Sequence, residues 1–403
     1  MVMQLTHRTK NSDPLGRYYT KPKIGALLVE AMGLPHPSTV LDLGAGDGSL
    51  VGEASKVWTL ASFITVDIDA NASSSMLPTL RGSAFKHLMA DALDARLADQ
   101  LGINWGEADA ALCNPPYIRP KWKKQFAEIL EDAGLSHVLP RLKDVPADLL
   151  FIAQNLRLLR TGGRLGLILP DGIVSGEKFA VFRKTLIQKH SVERVIELPR
   201  RIFRNTDAKA HIVIVAKHGL GSDHIMVQRL EADGILSSPC LIPAVSAVKR
   251  FDYSYITKNV VRNETRKIGD ETIFICRGSF SSSFRKTVEF PIFHTSDISA
   301  DDVFVPSSFN LPKEYVADSC VVALPGDILV ARVGRNLSQK VCMVRKGRVV
   351  ISDCLLLLRV NVGNRNNVLY FLRSPEGRLL LEASAHGVGA KFITTKSLLE
   401  LPF

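Results

Sequence analysis

Between Thr39 and Lys217 the chain alternates short apolar runs with longer segments of helical spacing. Val40–Leu43, Phe63–Val66, Ala110–Cys113, Leu165–Leu169, Val192–Leu198 and His211–Ala216 read as strands, with another near Ala84–Met89. Asp47–Thr59 and Ala147–Leu159 read as helices, the second stopping at Gly162-Gly163. This alternation predicts an α/β fold, a doubly wound Rossmann-like sheet. Ligands bind such sheets at the carboxyl ends of the strands, and each polar motif of this region follows a strand at that end.

The pattern changes after Lys217. His218-Gly219-Leu220-Gly221-Ser222-Asp223 is rich in turn formers, and residues 218–261 are expected to be a connector. From Arg262 short apolar strands dominate, broken by turns at Pro325-Gly326-Asp327, Lys346-Gly347 and Val362-Gly363-Asn364. The expected domains are thus 1–217, an α/β unit, and 262–403, a mixed, β-rich unit. A length of 403 residues with 46% hydrophobic content supports large buried cores. The net charge of +11 suits a partner that presents phosphates. None of the six cysteines stands in a C-x-x-C pair and no His/Cys cluster has zinc spacing, so free thiols of a reducing cytoplasm and no metal are expected. Met1–Gly16 is too polar for a signal peptide, and no apolar run approaches the roughly 18 residues of a membrane span.

Three motifs carry chemistry. Leu41-Asp42-Leu43-Gly44-Ala45-Gly46-Asp47-Gly48 closes a strand on a glycine turn that lets backbone N–H groups approach a ligand; its G-x-G-x-G spacing departs from the dinucleotide pattern. Asp67 ends the next strand, where a carboxylate can accept from both ribose hydroxyls of an adenosine ligand, and Asp91 can accept from an adenine amino group. Asn114-Pro115-Pro116-Tyr117 is the most specific. An aromatic amine is a poor nucleophile because its lone pair is delocalised into the ring. Two acceptors holding both amino hydrogens, the Asn114 side-chain oxygen and the Pro115 carbonyl, favour a pyramidal nitrogen. Pro115 and Pro116 stiffen the turn, and Tyr117 offers a face on which a base can stack.

These residues resemble adenine-N6 DNA methyltransferases whose cofactor motif precedes the catalytic motif, the Taq-type enzymes and the modification subunits of type I restriction systems, over most of residues 16–217. The resemblance implies S-adenosylmethionine as cofactor, bound by Thr20, Asp42, Gly44, Gly46, Asp67, Ile68 and Asp91. Thr20 lies in Gly16-Arg17-Tyr18-Tyr19-Thr20-Lys21-Pro22, similar to the family's N-terminal motif. It places Phe179 across the target adenine from Tyr117, with the base flipped from the duplex. The C-terminal region resembles one target-recognition unit of a type I specificity subunit through Lys267-Ile268-Gly269-Asp270, Pro325 to Gly334, Ile393 and Leu398–Phe403. Arg332, Arg335, Lys340 and Lys391 are candidate DNA contacts there, and Arg119, Lys121, Lys123 and Lys124 are candidates beside the catalytic turn. The implied partners are double-stranded DNA and a separately encoded restriction endonuclease; a monomer is expected.

Other readings stay open at this point. The glycine loop suits a structural turn, Phe179 a helix core, and each basic residue a solvated face. An Asn-Pro-Pro-Tyr turn also suits methylation of an RNA base or of a protein glutamine, since a carboxamide poses the same problem of nucleophilicity. A catalytically inactive DNA-specificity protein is the alternative of a different class.

Overall fold

The computed structural model describes residues 20–72, 84–136, 145–200, 202, 209–219, 223–259, 266–312, 320–387 and 390–403. Gly16 to Tyr19 of the N-terminal motif lie outside them, as do Leu220 to Ser222 of the expected connector and the expected domain start at Arg262. The chain divides into two compact units, Met1–Tyr253 and Ser254–Phe403.

The first unit is built on a nine-stranded sheet. Its strands are β1 (Thr39–Leu43), β2 (Ser62–Asp67), β3 (Ala84–Met89), β4 (Ala108–Cys113), β5 (Leu159–Pro170), β6 (Ser191–Glu197), β7 (Ala210–Ala216), β8 (His224–Arg229) and β9 (Cys240–Pro243). The order is β3-β2-β1-β4-β5-β7-β6-β8-β9. From β3 to β5 every pairing is parallel; β7 runs antiparallel between β5 and β6. The central strands are buried on both faces, which explains their unbroken apolar runs: all of β7 and Leu165 to Leu169 of β5 are buried. Chain order reverses at β1, with β2 on one side and β4 on the other. Ligand clefts of doubly wound sheets form at such a switch point.

Helices α1 (Pro22–Met32), α2 (Ser49–Val57), α3 (Gln125–Asp132), α4 (Ala147–Leu158) and α5 (Ala180–Lys189) belong to this unit. Every residue of α4 is buried, and several of its polar members bond inward instead of being solvated, although Asn155 Oδ1 has no partner. Gln154 donates to the carbonyls of Ala92 and Asp94, and Arg157 pairs with Asp132 at 2.7 Å. Helix α4 passes directly into β5 at Leu159, so Gly162-Gly163 is not its stop. The amides of Gly106 and Glu107 take the carbonyls of Arg157 and Leu158 and pull the chain into the sheet early.

The expected connector is corrected by two strands. β8 pairs in parallel with β6 and β9 antiparallel with β8, so residues 224–243 extend the sheet of the first unit. The division falls after Tyr253 instead of at 217 or 262.

The second unit carries three small sheets, of four strands (β10-β17-β13-β15), three (β11-β16-β12) and two (β14-β18). The ranges are β10 (Thr272–Arg277), β11 (Ile292–Phe293), β12 (Val322–Ala323), β13 (Ile328–Ala331), β14 (Val333–Gly334), β15 (Val341–Met343), β16 (Val349–Ile351), β17 (Leu355–Val360) and β18 (Lys391–Phe392), with helices α6 (Arg365–Arg373) and α7 (Pro375–Ser384). Strands β13 and β17 are covered on both faces. Ile328, Val330, Leu356 and Leu358 join a core with Val368, Leu372 and Leu381, whereas Leu329, Ala331, Leu355 and Leu357 join one with Phe293 and Ile351. The Pro325-Gly326-Asp327 turn is locked by Asp327, which accepts both Arg359 donors at 2.7 Å and the Leu324 amide at 2.8 Å.

Candidate active site

A cleft of about 310 Å3 opens in the first unit, lined by residues that follow β1, β2, β3 and β4. Its size is that of a small-molecule site. Gly44, Gly46 and Gly48 hold φ of 77°, 57° and 76°, values that disfavour any side chain, so the loop after β1 can turn sharply. The amides of Gly44 and Ala45 bond the Val66 carbonyl at 2.8 and 3.1 Å, and the Gly46 amide bonds Asp67 at 2.7 Å. Two strand ends are thereby tied into one rim. Asp47 accepts both the amide and the hydroxyl of Ser49, which starts α2 behind the loop.

Asp42 stands at the floor with 1% of its surface exposed, and neither carboxyl oxygen has a hydrogen-bond partner. Burial, then the nearby carboxylates of Asp67 and Asp47, push its pKa well above the usual carboxylate range; the Val51 backbone amide, near but outside hydrogen-bond geometry, offsets this only in part. An orphaned buried acid lining a cleft is a place for a cationic ligand group. Asp67 takes one backbone amide on each oxygen, from Gly46 and from Asp69 at 2.8 Å. Exposed Ile68 adds an apolar wall beside it, as do Leu93 and Phe126. Asp91 also lines the cleft, and it is engaged: one oxygen accepts the Leu93 amide, the other the Lys123 ammonium, both at 2.9 Å.

The Asn114 turn forms the next side. Asn114 Nδ2 donates to the Thr20 hydroxyl at 3.1 Å, and its Oδ1 accepts from the Tyr117 hydroxyl at 3.2 Å. Thr20, Asn114 and Pro116 line the cleft; Pro115, between two of them, is buried and not part of its wall. The amide of Ala147, first residue of α4, bonds the Ile118 carbonyl at 2.9 Å and fixes the far end of the turn. Next to it, burial raises the Asp148 carboxyl to about 6, against the opposing pull of Arg119 and Lys178.

Not all of the expected residues meet here. Tyr117 reaches Asn114 but is not part of the cleft wall, and Phe179 is 7% exposed, under the Lys178 ammonium at 4.8 Å. Lys121 and Lys123 line the cleft, whereas Arg119 and Lys124 are exposed outside its wall. In the second unit, Arg332 donates to the Asp353 carbonyl and Lys340 to the Thr295 carbonyl, so both hold backbone. Arg335 and Lys391 share a separate groove. Sequence reasoning missed Leu93, Ile118, Phe126 and Phe151 in the wall. The first two sit within a few residues of Asp91 and Asn114, a signal that was available; the phenylalanines are brought in by helix packing alone.

All six cysteines are free, and no helix among the described residues is long and apolar enough to cross a membrane.

Comparison with known proteins agrees with this arrangement. The chain is 24% identical over 219 residues to the methylase subunit of the type I restriction enzyme MpnII of Mycoplasma pneumoniae, covering 50% of this chain and 40% of that protein. It is 25% identical over 226 residues to the type II restriction enzyme and methyltransferase RM.BcgI of Heyndrickxia coagulans, covering 51% of this chain and 32% of that protein. The chain therefore spans less than half the length of either relative. In fold it is similar to the type IIG restriction endonuclease BpuSI, with a TM-score of 0.54 at 14% identity over 96% of this chain and 58% of that one. The family model described as N-6 DNA Methylase matches residues 3–232. With more than half of its length so matched, the chain belongs to the N-6 DNA methylase family.

Proposed function

We propose that this chain transfers a methyl group from S-adenosylmethionine to N6 of an adenine flipped out of duplex DNA, as the modification component of a restriction-modification system. The observation that carries the reading is Asn114 at the end of β4, held at one rim of a cleft whose floor is an unpaired acid.

The side chains suit that cofactor. Asp42 offers a carboxylate to its ammonium, Asp67 and Asp91 offer acceptors to ribose and adenine, and Ile68 and Leu93 offer apolar walls. When bound, the cofactor supplies a methyl group made electrophilic by a sulfonium. The remaining work falls to the turn. Thr20 fixes the Asn114 amide so that Oδ1 points away from it, toward Tyr117. A carbonyl oxygen has two lone pairs, so Asn114 can accept an amino hydrogen of the base while keeping or releasing the Tyr117 hydroxyl. The Pro115 carbonyl takes the second hydrogen. Held in this way, the nitrogen directs its lone pair at the methyl group, and it gives up one proton to solvent after transfer. Lys121, Arg119 and Lys124 offer positive charge to the phosphates of the opened strand. The second unit reads the site, and a separately encoded nuclease is the expected companion of such a modification activity.

The test is direct sequencing of base modification in DNA from a methylation-free bacterium expressing this chain, beside Asn114→Ala. N6-methyladenine at one recurring motif, lost in the variant while cofactor binding persists, is the expected result. Unmodified DNA from cells holding folded protein would overturn the reading in favour of an RNA or protein substrate.

A further inference from the structure

We propose that a groove of the second unit, walled by Arg335, Arg378 and Lys391, holds a backbone phosphate of the DNA; this rests on the methylation reading above. The groove measures about 360 Å3 and is also lined by Ser338, Gln339 and Glu382. Three separate elements build it. Pairing of Gly334 in β14 with Lys391 in β18 sets Arg335, one residue on, beside that lysine. Helix α7 supplies Arg378 and, one turn later, Glu382.

The charges do not cancel evenly. Lys391 is ion-paired with Glu382, which also accepts from the Ser338 hydroxyl at 3.3 Å. That acid is spent on the lysine. Among the described residues neither Arg335 nor Arg378 has a hydrogen-bond or ion-pair partner, and Arg378 Nε is buried without an acceptor. Guanidinium groups that line a groove without a partner suit an anion with several acceptor oxygens. Two guanidinium groups facing one groove fit a phosphodiester, whose oxygens match their fork geometry. Contacts of this kind fix register on a duplex without reading bases.

The experiment measures binding of the full chain to a 30-base-pair duplex of random sequence across a potassium chloride series, for wild type, Arg335→Gln and Arg335→Gln/Arg378→Gln. Loss of one phosphate contact is expected to flatten the slope of log affinity against log salt by about 0.9 in the double variant, with cofactor binding unchanged. Arg335 is exposed, so the single variant is expected to fold and to show a smaller change of the same sign. Wild-type slopes in both variants would overturn the groove and leave the methylation reading intact. A wild-type chain that binds no duplex DNA would overturn both.

Discussion

Replacing Asp42 with asparagine is expected to move stability and cofactor affinity in opposite directions. The carboxylate is 1% exposed, unpaired, and faces the acids Asp67 and Asp47. Its folded pKa lies above the unfolded value of about 3.9. The folded chain therefore binds this proton more tightly than the unfolded one. The contribution to stability is full below about pH 3.9 and is lost as pH rises through the folded pKa. At pH 7.5 the acid is a cost to the ligand-free protein. A buried polar group left unsatisfied costs about 1–3 kcal/mol, more when charged, and an asparagine there keeps part of that penalty. A net gain of about 1–2 kcal/mol follows, which in a unit of this size raises Tm by roughly 2–8 °C. The gain is expected to shrink as pH falls toward 4. Binding of S-adenosylmethionine loses a charge-assisted hydrogen bond of about 1.5–3 kcal/mol, or roughly 10- to 150-fold in Kd. Thermal unfolding at pH 5 and 8 and calorimetric titration read the two effects. A variant that is less stable without ligand, and binds the cofactor as wild type does, refutes the reasoning.

Two further outcomes follow from the same site. The Lys123–Asp91 pair is half exposed, at 53% and 37%, and contributes about 0–1 kcal/mol. Lys123→Met is expected to leave stability nearly unchanged and to tighten cofactor binding up to about fivefold, by freeing Asp91; weaker binding in a calorimetric titration would show that Lys123 holds the ligand instead of competing with it. Asp148 is raised to about 6 from the ordinary 3.8, chiefly by burial, a difference worth ~3 kcal/mol. Because the shift is upward, wild type is expected to lose stability between about pH 4 and 6.5 that Asp148→Asn keeps. Identical pH profiles of denaturant unfolding would rule this out.

The parts of the site written locally in the chain were legible. Asp42 and Asp67 lie in the last residues of their strands and Asp91 and Asn114 just after theirs, and a parallel sheet brings the ends of its strands to one edge, so order along the chain became proximity. What depends on distant packing was not. Lys123 reads as a DNA contact until the fold sets it 2.9 Å from an acid thirty-two positions earlier. Arg332 and Lys340 read as candidate DNA contacts, and each also bonds a backbone carbonyl that no spacing rule indicates. Strand β8 and the edge strand β9 were hidden for another reason. β8 begins and ends on the polar residues His224 and Arg229, and β9 is only four residues long with Leu241 exposed, so neither shows the unbroken apolar run of a central strand. Phe179 shows the limit of motif position. Its place in the sequence suits a base-stacking aromatic, whereas the side chain is 7% exposed, beside a turn in which its amide bonds the Gly176 carbonyl.

Under the proposed reaction, the way the cleft's acceptors are filled bears on how affinity and selectivity divide. Asp67 holds two backbone amides, Asp91 an amide and a lysine, and the Asn114 oxygen a tyrosine hydroxyl. A ligand that bonds Asp91 or Asn114 exchanges one partner for another, and such exchanges are close to neutral. Asp42 has nothing to exchange, so a cation arriving there removes a penalty already present in the folded chain. Cofactor affinity is therefore concentrated at Asp42, away from the reacting atoms. At Asn114 the near-neutral exchange serves a different end. A base lacking an amino group at the right position, if it displaces the Tyr117 hydroxyl, returns nothing to Oδ1 and leaves a partly buried acceptor open. Rejection of such a base costs about 1–3 kcal/mol at this one atom, and the rigid Thr20–Asn114–Tyr117 chain is what prevents the amide from turning to avoid it.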